Sequence, residues 1–491
     1  MTVSPDVCYD ALRSRDARFD GRFFTAVLTT GVYCRPVCPA RTPKRENVRF
    51  FPCAAAAEAA GFRACRRCRP DTAPGTPAWL GTSATTSRAL RLILDGALDR
   101  GSVEDLAARV GIGPRHLRRL FLAHLGAPPQ AVAHTRRVHF ARKLIDETDL
   151  PMARVAHAAE FASIRRFNAA IRRAYGRTPT TLRHEARHVD AAPSEAALVL
   201  RLPFRLPFDW DTLLGFVARR ATPGVEAAGP GSYRRTIAIG GSRGTIEVTR
   251  PRGANHLLLR VRVSDAAPLA MIVERVRRMF DLGADPREIR AHLWSDRRLR
   301  AALTSLPGIR VPGAWDGFEL SVRAILGQQV SVQAATTLAG RLARACGEPV
   351  GAVDGNDGLS LLFPTPEVLA EVDLSAIGLP RARANAIRGL ARAVRDRAVR
   401  FDDPTDPNAV TTCLGRVAGI GPWTAQYVAM QALGDPDAFP ASDLGLRRAM
   451  SARGPLITGA ELARRAEPWR PWRAYAAMLL WMNEGRHHDR A

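Results

Sequence analysis

Between residues 85 and 187 apolar residues recur three or four apart with few β-branched runs, which predicts a block of amphipathic helices. Beyond 198 the spacing changes. The stretches "LVLRLPFRLPFDW", "YRRTIAIG", "GTIEVTR" and "NHLLLRVRVS" alternate apolar and polar residues between Pro and Gly, the pattern of strands. From about 271 the helical spacing returns and holds to the end. Two breaks in composition frame these blocks: "RPDTAPGTPAWLGTSATTS" (69–87) and "HVDAAPSEAA" (188–197). The expected organisation is multidomain, mainly α with α+β parts. It comprises a small N-terminal domain (1–75), a helical domain (85–187), a β-layer subdomain (198–270) and a large helical domain (271–487). No short-period repeat is present, although 102–125 and 150–175 resemble one another as helix–turn–helix units.

At 491 residues the chain is too long for one core, in keeping with several domains. No segment approaches 18 uninterrupted apolar residues, so a membrane span is not expected. The N-terminus "MTVSPDVCYDALRSRDARFD" lacks the apolar region of a signal peptide, which makes the cytoplasm the expected location. The formal net charge of +25 changes the picture more than any other bulk property. Self-repulsion on that scale is tolerable against a polyanion, and nucleic acid is the natural partner. Lys44 and Lys143 are the only lysines. GC-rich coding accounts for that preference for arginine but not for the excess of basic over acidic residues.

Four of the eight cysteines cluster as C-x3-C (Cys34, Cys38) and, 26 residues on, C-x2-C (Cys65, Cys68). Two short clips of this kind can close one tetrahedral Zn²⁺, and a structural zinc in a segment too small to fold alone is the plain reading. The setting suggests more. Nine basic residues lie between 34 and 70 against only Glu46 and Glu58. Four thiolates on one Zn²⁺ carry a formal −2. Methylation of one would lower that to −1 and relieve repulsion from a phosphate backbone. Cys8, Cys53, Cys346 and Cys413 lack partners at ligand spacing and read as ordinary buried thiols. "FTAVLTTGVYCRPVCPARTPKRENVRFF" followed by "AAGFRACRRCRP" resembles the methylphosphotriester-sensing zinc domain of the Ada family over about 65 residues. The resemblance implies Cys34 as both ligand and methyl acceptor, with Cys38, Cys65 and Cys68 completing the zinc site.

In the helical block nineteen Lys and Arg face nine Asp and Glu. "GSVEDLAARVGIGPRHLRRLFLAHLG" offers Ser102 as N-cap, Glu104 and Asp105 in the first turn, Gly111 as terminator and Pro114 opening a second helix. "LPMARVAHAAEFASIRRFNAAIRRAYGRTPTTLR" repeats the arrangement, with Ser163 before its second helix. Paired helices with a short Gly-containing turn are what major-groove readers use, although a helical packing domain with solvated arginines fits the same pattern. The block resembles an AraC-type DNA-binding domain, down to its ending at Phe167–Pro179. Candidate DNA contacts are Arg115, His116, Arg118 and Arg119 on the first recognition helix and Arg165, Arg166 and Asn168 on the second.

In the last block, "VAGIGPWTAQYVAMQALGDPDAFPASDLGLRRA" reads as a helix–hairpin–helix. Gly419 and Gly421 permit the tight turn, Pro422 opens the next helix, and the free N–H groups there can receive a DNA phosphate. Trp423 and Tyr427 lie four apart on one helix face, Asp443 follows, and Trp481 comes from "PWRPWRAYAAMLLWMNEG". Aromatics beside one carboxylate suit a flipped, positively charged base, by stacking and cation–π attraction. The carboxylate suits oxocarbenium stabilisation and activation of water. Over most of 198–487 the chain resembles AlkA-type 3-methyladenine DNA glycosylases. That resemblance implies Asp443 as catalytic carboxylate and Trp423, Tyr427 and Trp481 as the base pocket, with no cofactor. Position 423 is where lyase-capable relatives carry a Schiff-base lysine, so a monofunctional enzyme is implied. At Gln329, in "GQQV", the family's aliphatic wedge is replaced by a polar residue.

The combined expectation is a Zn²⁺ methyl acceptor, a reader of promoter DNA that would work with RNA polymerase, and a glycosylase acting on alkylated duplex DNA. No "PCHR" motif occurs, so the methylguanine methyltransferase half of some relatives is not expected. Two other readings stay open: the front half as a DNA-targeting or backbone-repair appendage, and the whole chain as a regulator on an inactive glycosylase fold.

Overall fold

The structure is a computed structural model that describes residues 3–74, 84–186, 197–351, 358–374, 377–401, 407–451 and 455–488. Its contacts divide the chain into two units. One holds Met1–Arg205, Pro251–Glu274 and Leu282–Ala284, and the other Leu206–Arg250, Arg275–Asp281 and Asp285–Ala491.

In the first unit, the cysteine-bearing segment is organised by four short strands: β1 (Phe24–Val27), β2 (Val32–Cys34), β3 (Val48–Phe51) and β4 (Arg63–Ala64). They lie in the order β3-β1-β2-β4. β2 and β4 run parallel with Tyr33 opposite Ala64, so Cys34 and Cys65, the next residue on each strand, arrive side by side. These strands are two to four residues long, too short for alternation to announce them in the sequence. The alanine run after Cys53 forms a helix, Ala54–Ala59, whose first four alanines are buried.

That helix does not close a separate little core. Cys53, Ala55 and Ala56 pack in one cluster with Leu90, Ile93, Leu106, Leu117, Phe121 and Leu125 of the helical block. Small side chains make the approach possible. A Cβ on Gly126, already at φ +69°, would sit 3.1 Å from the Ala56 Cβ. The Cys53 thiol donates to the Leu125 carbonyl at 3.1 Å, and burial pushes that thiol up to about 11.

The helical block forms as its sequence signals suggest. Ser102 and Asp105 make a reciprocal capping box at the start of the Val103–Arg109 helix, worth about 1 kcal/mol. Gly111 takes φ +74°, and Pro114–Leu125 follows. Ser163 caps Ile164–Tyr175 through the Arg166 N–H. Pro129–Glu147, the longest helix here, packs against both helical pairs and the Ala54–Ala59 helix.

A partly buried polar group joins this long helix to the cysteine-bearing sheet. Glu58 accepts from the Tyr33 hydroxyl at 2.8 Å, accepts from the Thr135 hydroxyl, and pairs with His139 Nε2 at 3.4 Å. Nearby, Arg69 pairs with Asp71 at 2.6 Å and with Asp146, which also takes the Arg142 guanidinium at 2.8 Å. Tyr33 and Arg69 are the chain neighbours of Cys34 and Cys68, so both links start at the cysteine cluster and end on one helix.

The remaining strands are β5 (Leu198–Pro203), β6 (Glu226–Gly229), β7 (Ser232–Ile239), β8 (Ser242–Thr249) and β9 (His256–Val263). β5 pairs antiparallel with β9 in the first unit, and β6–β7–β8 form an antiparallel meander in the second. The alternation read through "FRLPFDW" is not a strand. β5 stops at Pro203, Pro207 has no N–H to give a ladder, and Trp210 starts the helix Trp210–Ala218. Among the described residues, the regular elements in the rest of the second unit are helices, apart from isolated bridges at Leu359 and Leu361.

The Glu58–His139 pair generates a pH prediction. Burial alone would push Glu58 up, but its bonds from His139, Thr135 and Tyr33 outweigh it and hold the carboxyl below its usual range. For His139, burial pushes down, and Glu58 reverses that to a net rise above 6.5. The histidine's contribution is therefore complete below about 6.5 and lost as pH rises through its raised folded value. The glutamate's contribution is present at neutral pH and lost as pH falls through its lowered value. A His139→Gln variant should unfold about 1–3 kcal/mol more easily near pH 6, measured by denaturant titration, with the gap shrinking toward pH 9.

Candidate functional site

The cysteine cluster is built from two clips and a strand pair. Cys38 N–H donates to the Arg35 carbonyl at 3.1 Å, and Arg69 N–H to the Cys65 carbonyl at 3.1 Å, closing both turns. Cys65 N–H donates to the Tyr33 carbonyl at 2.9 Å, tying the clips together through the sheet. The four Sγ atoms lie within 4.8 Å of one another. Tetrahedral Zn²⁺ with bonds near 2.3 Å needs sulfurs about 3.8 Å apart, so the donor set fits that ion. Arg35 N–H donates to Cys68 Sγ at 3.3 Å, a bond suited to a sulfur bearing charge. The Arg35 guanidinium is fixed by Asp20 Oδ1 at 2.8 Å and Thr72 Oγ1 at 2.7 Å.

Cys34, Cys38 and Cys68 are buried, whereas Cys65 is more open. Exposure therefore does not single out Cys34, whose role as acceptor is carried by family resemblance. Among the other thiols Cys8 and Cys53 are buried as expected. Cys346 and Cys413 are only half-buried, because each lies near a helix end with one side facing solvent.

On the two recognition helices the basic residues lie outside and most apolar ones inside, with Leu122 and Ile164 exposed. Leu117, Phe121 and Leu125 of Pro114–Leu125 are buried, while Arg115, His116, Arg118 and Arg119 are exposed. On Ile164–Tyr175, Phe167, Ala170, Ile171 and Tyr175 are buried, Arg165 and Arg166 are exposed, and Asn168 is half-buried. None of these seven polar side chains is tied up in an ion pair among the described residues, which leaves them available to an external polyanion.

In the second unit, the helices Pro407–Gly415 and Pro422–Gln431 flank the glycine turn. Gly419 takes φ +90°, and a Cβ there would lie 2.6 Å from that of Ala386, so no other residue fits. Gly421, at φ −89°, has nothing within 4 Å of a built Cβ. Its bareness serves the outside: it exposes N–H groups at a helix start that lack intrahelical partners.

The Pro422–Gln431 helix projects Trp423 and Tyr427, stacked with centroids 5.3 Å apart and planes 12° from parallel. Trp481, on Arg473–His488, meets Tyr427 edge-on at 6.3 Å. Asp443 closes the group. Its Oδ2 accepts from Trp423 Nε1 at 2.8 Å, and its Oδ1 from Trp481 Nε1 at 2.9 Å and from the Leu446 N–H at 2.9 Å. Asp443 is thus the N-cap of Leu444–Met450 and also the acceptor of two indoles. All four side chains are half-buried, leaving aromatic faces and a carboxylate edge open to a flat ligand. Arg220, unnoticed in the sequence, lies against the Tyr427 hydroxyl and over the Phe216 ring at 3.6 Å.

Gln329 stands outside this group. It is exposed, has φ +56°, and makes no hydrogen bond among the described residues. Its neighbour Gln328, which no sequence motif singles out, donates from Nε2 to the Gly419 carbonyl at 2.9 Å and to Thr424 Oγ1 at 3.1 Å.

Four family models match successive stretches of the chain. They match at 7–71 (metal binding domain of Ada), 106–185 (helix-turn-helix domain), 199–316 (AlkA N-terminal domain) and 322–472 (HhH-GPD superfamily base excision DNA repair protein). A Mycobacterium tuberculosis protein described as a probable bifunctional transcriptional activator/DNA repair enzyme AlkA is 46% identical over 476 residues, 96% of this chain and 95% of that one. DNA-3-methyladenine glycosylase 2 of Escherichia coli is 36% identical over 294 residues, 59% of this chain and 99% of its own. The solved 3-methyladenine DNA glycosylase of Archaeoglobus fulgidus shares the fold, with a TM-score of 0.51 at 22% identity, over 58% of this chain and 98% of that one. With two modules of the regulator type and two of the glycosylase type in one polypeptide, the chain belongs to the family of bifunctional transcriptional activator/DNA repair enzymes AlkA.

Proposed function

We propose that the protein repairs and senses alkylated duplex DNA with two separate active sites. Asp443 drives hydrolysis of the N-glycosidic bond of alkylated purines such as 3-methyladenine, and Cys34 accepts methyl groups from backbone methylphosphotriesters. The observation that carries the first reading is the half-buried Asp443 carboxylate held by two indole N–H groups at an aromatic wall.

A purine methylated on a ring nitrogen carries positive charge, and the flipped base stacks on the open faces of Trp423, Tyr427 and Trp481. Such a base departs as a neutral molecule, so no acid is needed to protonate it. This explains one carboxylate where ordinary glycosidases use two. As the C1′–N bond breaks, positive charge grows on the sugar. Asp443 stabilises it and takes the proton of the water whose oxygen bonds to C1′. The only lysines, Lys44 and Lys143, belong to the other unit, so no Schiff base competes in this one. The backbone enters at Gly419 and Gly421, and Gln329 stands where the vacated stack would be filled.

Cys34, Cys38, Cys65 and Cys68 would hold Zn²⁺, which when bound keeps their sulfurs deprotonated. Cys34 Sγ bonds to the methyl carbon while the carbon–oxygen bond to phosphate breaks, leaving a phosphodiester anion on the DNA. The site's formal charge falls from −2 to −1. A change of that sign favours DNA engagement by Arg115, His116, Arg118 and Arg119 and by Arg165, Arg166 and Asn168. The shared core at Cys53, Ala56 and Leu125 favours a sensor and reader acting as one body over a loose appendage. A sensor joined to a DNA reader supports promoter activation through RNA polymerase, and a DNA substrate supports a cytoplasmic location.

Duplex DNA methylated on bases and phosphates tests both sites. Asp443→Asn should cut free-base release at least about 100-fold while leaving protein-bound methyl unchanged. Cys34→Ala should do the reverse. Loss of both activities in either variant would contradict two independent sites. Metal analysis should find one zinc per chain, and a strong chelator should abolish methyl capture and promoter binding while base release persists.

A further inference from the structure

A loop joins the helices Gly317–Leu326 and Val332–Cys346, and Gln329 is its tip. Gln329 has φ +56°, a left-handed conformation unfavourable for a residue with a Cβ. Val330 and Val332 beside it are 38% and 42% exposed. An exposed tip in an unfavourable backbone state cannot hold its own position against a stacked base. Something rigid must hold it.

The bonds of Gln328 supply that hold. Its backbone carbonyl accepts from Arg383 Nη2 at 2.7 Å. Its side-chain amide donates to the Gly419 carbonyl, inside the glycine turn, and to the hydroxyl of buried Thr424, the residue after Trp423. One side chain thus connects the displacing loop, the backbone-binding turn and the helix that carries the pocket aromatics. Among the described residues no other hydrogen bond runs from this loop to that turn.

We propose that Gln328 is a positioning residue for base extrusion: it locks the Gln329–Val330 tip to the Gly419–Gly421 turn so that gripping the backbone and filling the vacated stack are one movement. The proposal rests on the glycosylase reading and refines it. Unstacking and unpairing a base is uphill, and the tip must oppose its return from a fixed anchor. A tethered loop also lets a polar residue serve as wedge, because its placement no longer depends on apolar burial at the tip.

The test is Gln328→Glu, which keeps size and shape but replaces both N–H donors with an oxygen facing the Gly419 carbonyl. Single-turnover excision is measured on two duplexes, one with the methylated purine fully paired and one with it opposite an abasic site. On the paired duplex the rate should fall roughly 10- to 100-fold. On the unpaired one, where extrusion costs little, it should stay within about threefold of wild type. Fluorescence of 2-aminopurine at the lesion position reports extrusion without chemistry, and should rise with wild type and not with Gln328→Glu. An equal fall on both duplexes would overturn the proposal, since Gln328 would then serve the pocket rather than extrusion; so would unchanged rates on both. If wild type extrudes 2-aminopurine yet releases no base, the glycosylase reading fails while the fluorescence contrast still decides the role of Gln328.

Discussion

A carboxylate that is to work on a growing positive charge must be held still, and this chain holds Asp443 with three N–H groups. Two are indoles brought from 20 and 38 residues away, and the third is the backbone of Leu446. The Pro422–Gln431 helix, the Leu444–Met450 helix and the Arg473–His488 helix must all be in place before the carboxylate is aimed. The surrounding packing serves that requirement. Gln426 Oε1 accepts from the Phe439 N–H at 3.0 Å and fixes the segment leading to Asp443, while Phe439 packs edge-on against buried Trp469. Each of these two tryptophans gives an N–H to the carboxylate and, on the proposed reading, a face to the base.

The front half follows a different economy. About 70 residues around a four-cysteine site bury only a small apolar core of their own. The sheet and the alanine helix solve this by borrowing the core of the reader. Once the two share a core, a change of charge at the sulfurs acts on a body that already contains the recognition helices. The Glu58 and Arg69 links, each starting next to a zinc ligand, add buried polar contacts along the same boundary.

Much of this was legible in the sequence, and the gaps have physical reasons. Cysteine spacing announced the metal cluster, because ligand geometry demands short clips. Ser102, Pro114 and Ser163 announced their helices, because cap chemistry is local. Trp423, Tyr427 and Asp443 were found through a motif with family precedent, yet the motif could not reveal that the indoles bond to the carboxylate. Strands β1 to β4 escaped because they are too short to show a period, and "FRLPFDW" misled because alternation continued past the proline that ends β5. Gln328, Arg220, Glu58 and His139 were invisible for a common reason: each acts through partners far along the chain. A glutamine beside a loop tip or a histidine on a helix carries no local signature.

The most direct test of the central constraint is a double-variant cycle on single-turnover base release, using Trp481→Phe, Asp443→Asn and the pair. Phenylalanine keeps an aromatic face and removes the indole N–H. If that N–H aims the carboxylate, Trp481→Phe should slow wild type about tenfold and add little once Asp443 is already Asn. Equal slowing in both backgrounds would show that Trp481 acts as a stacking surface alone, and that the carboxylate does not depend on it.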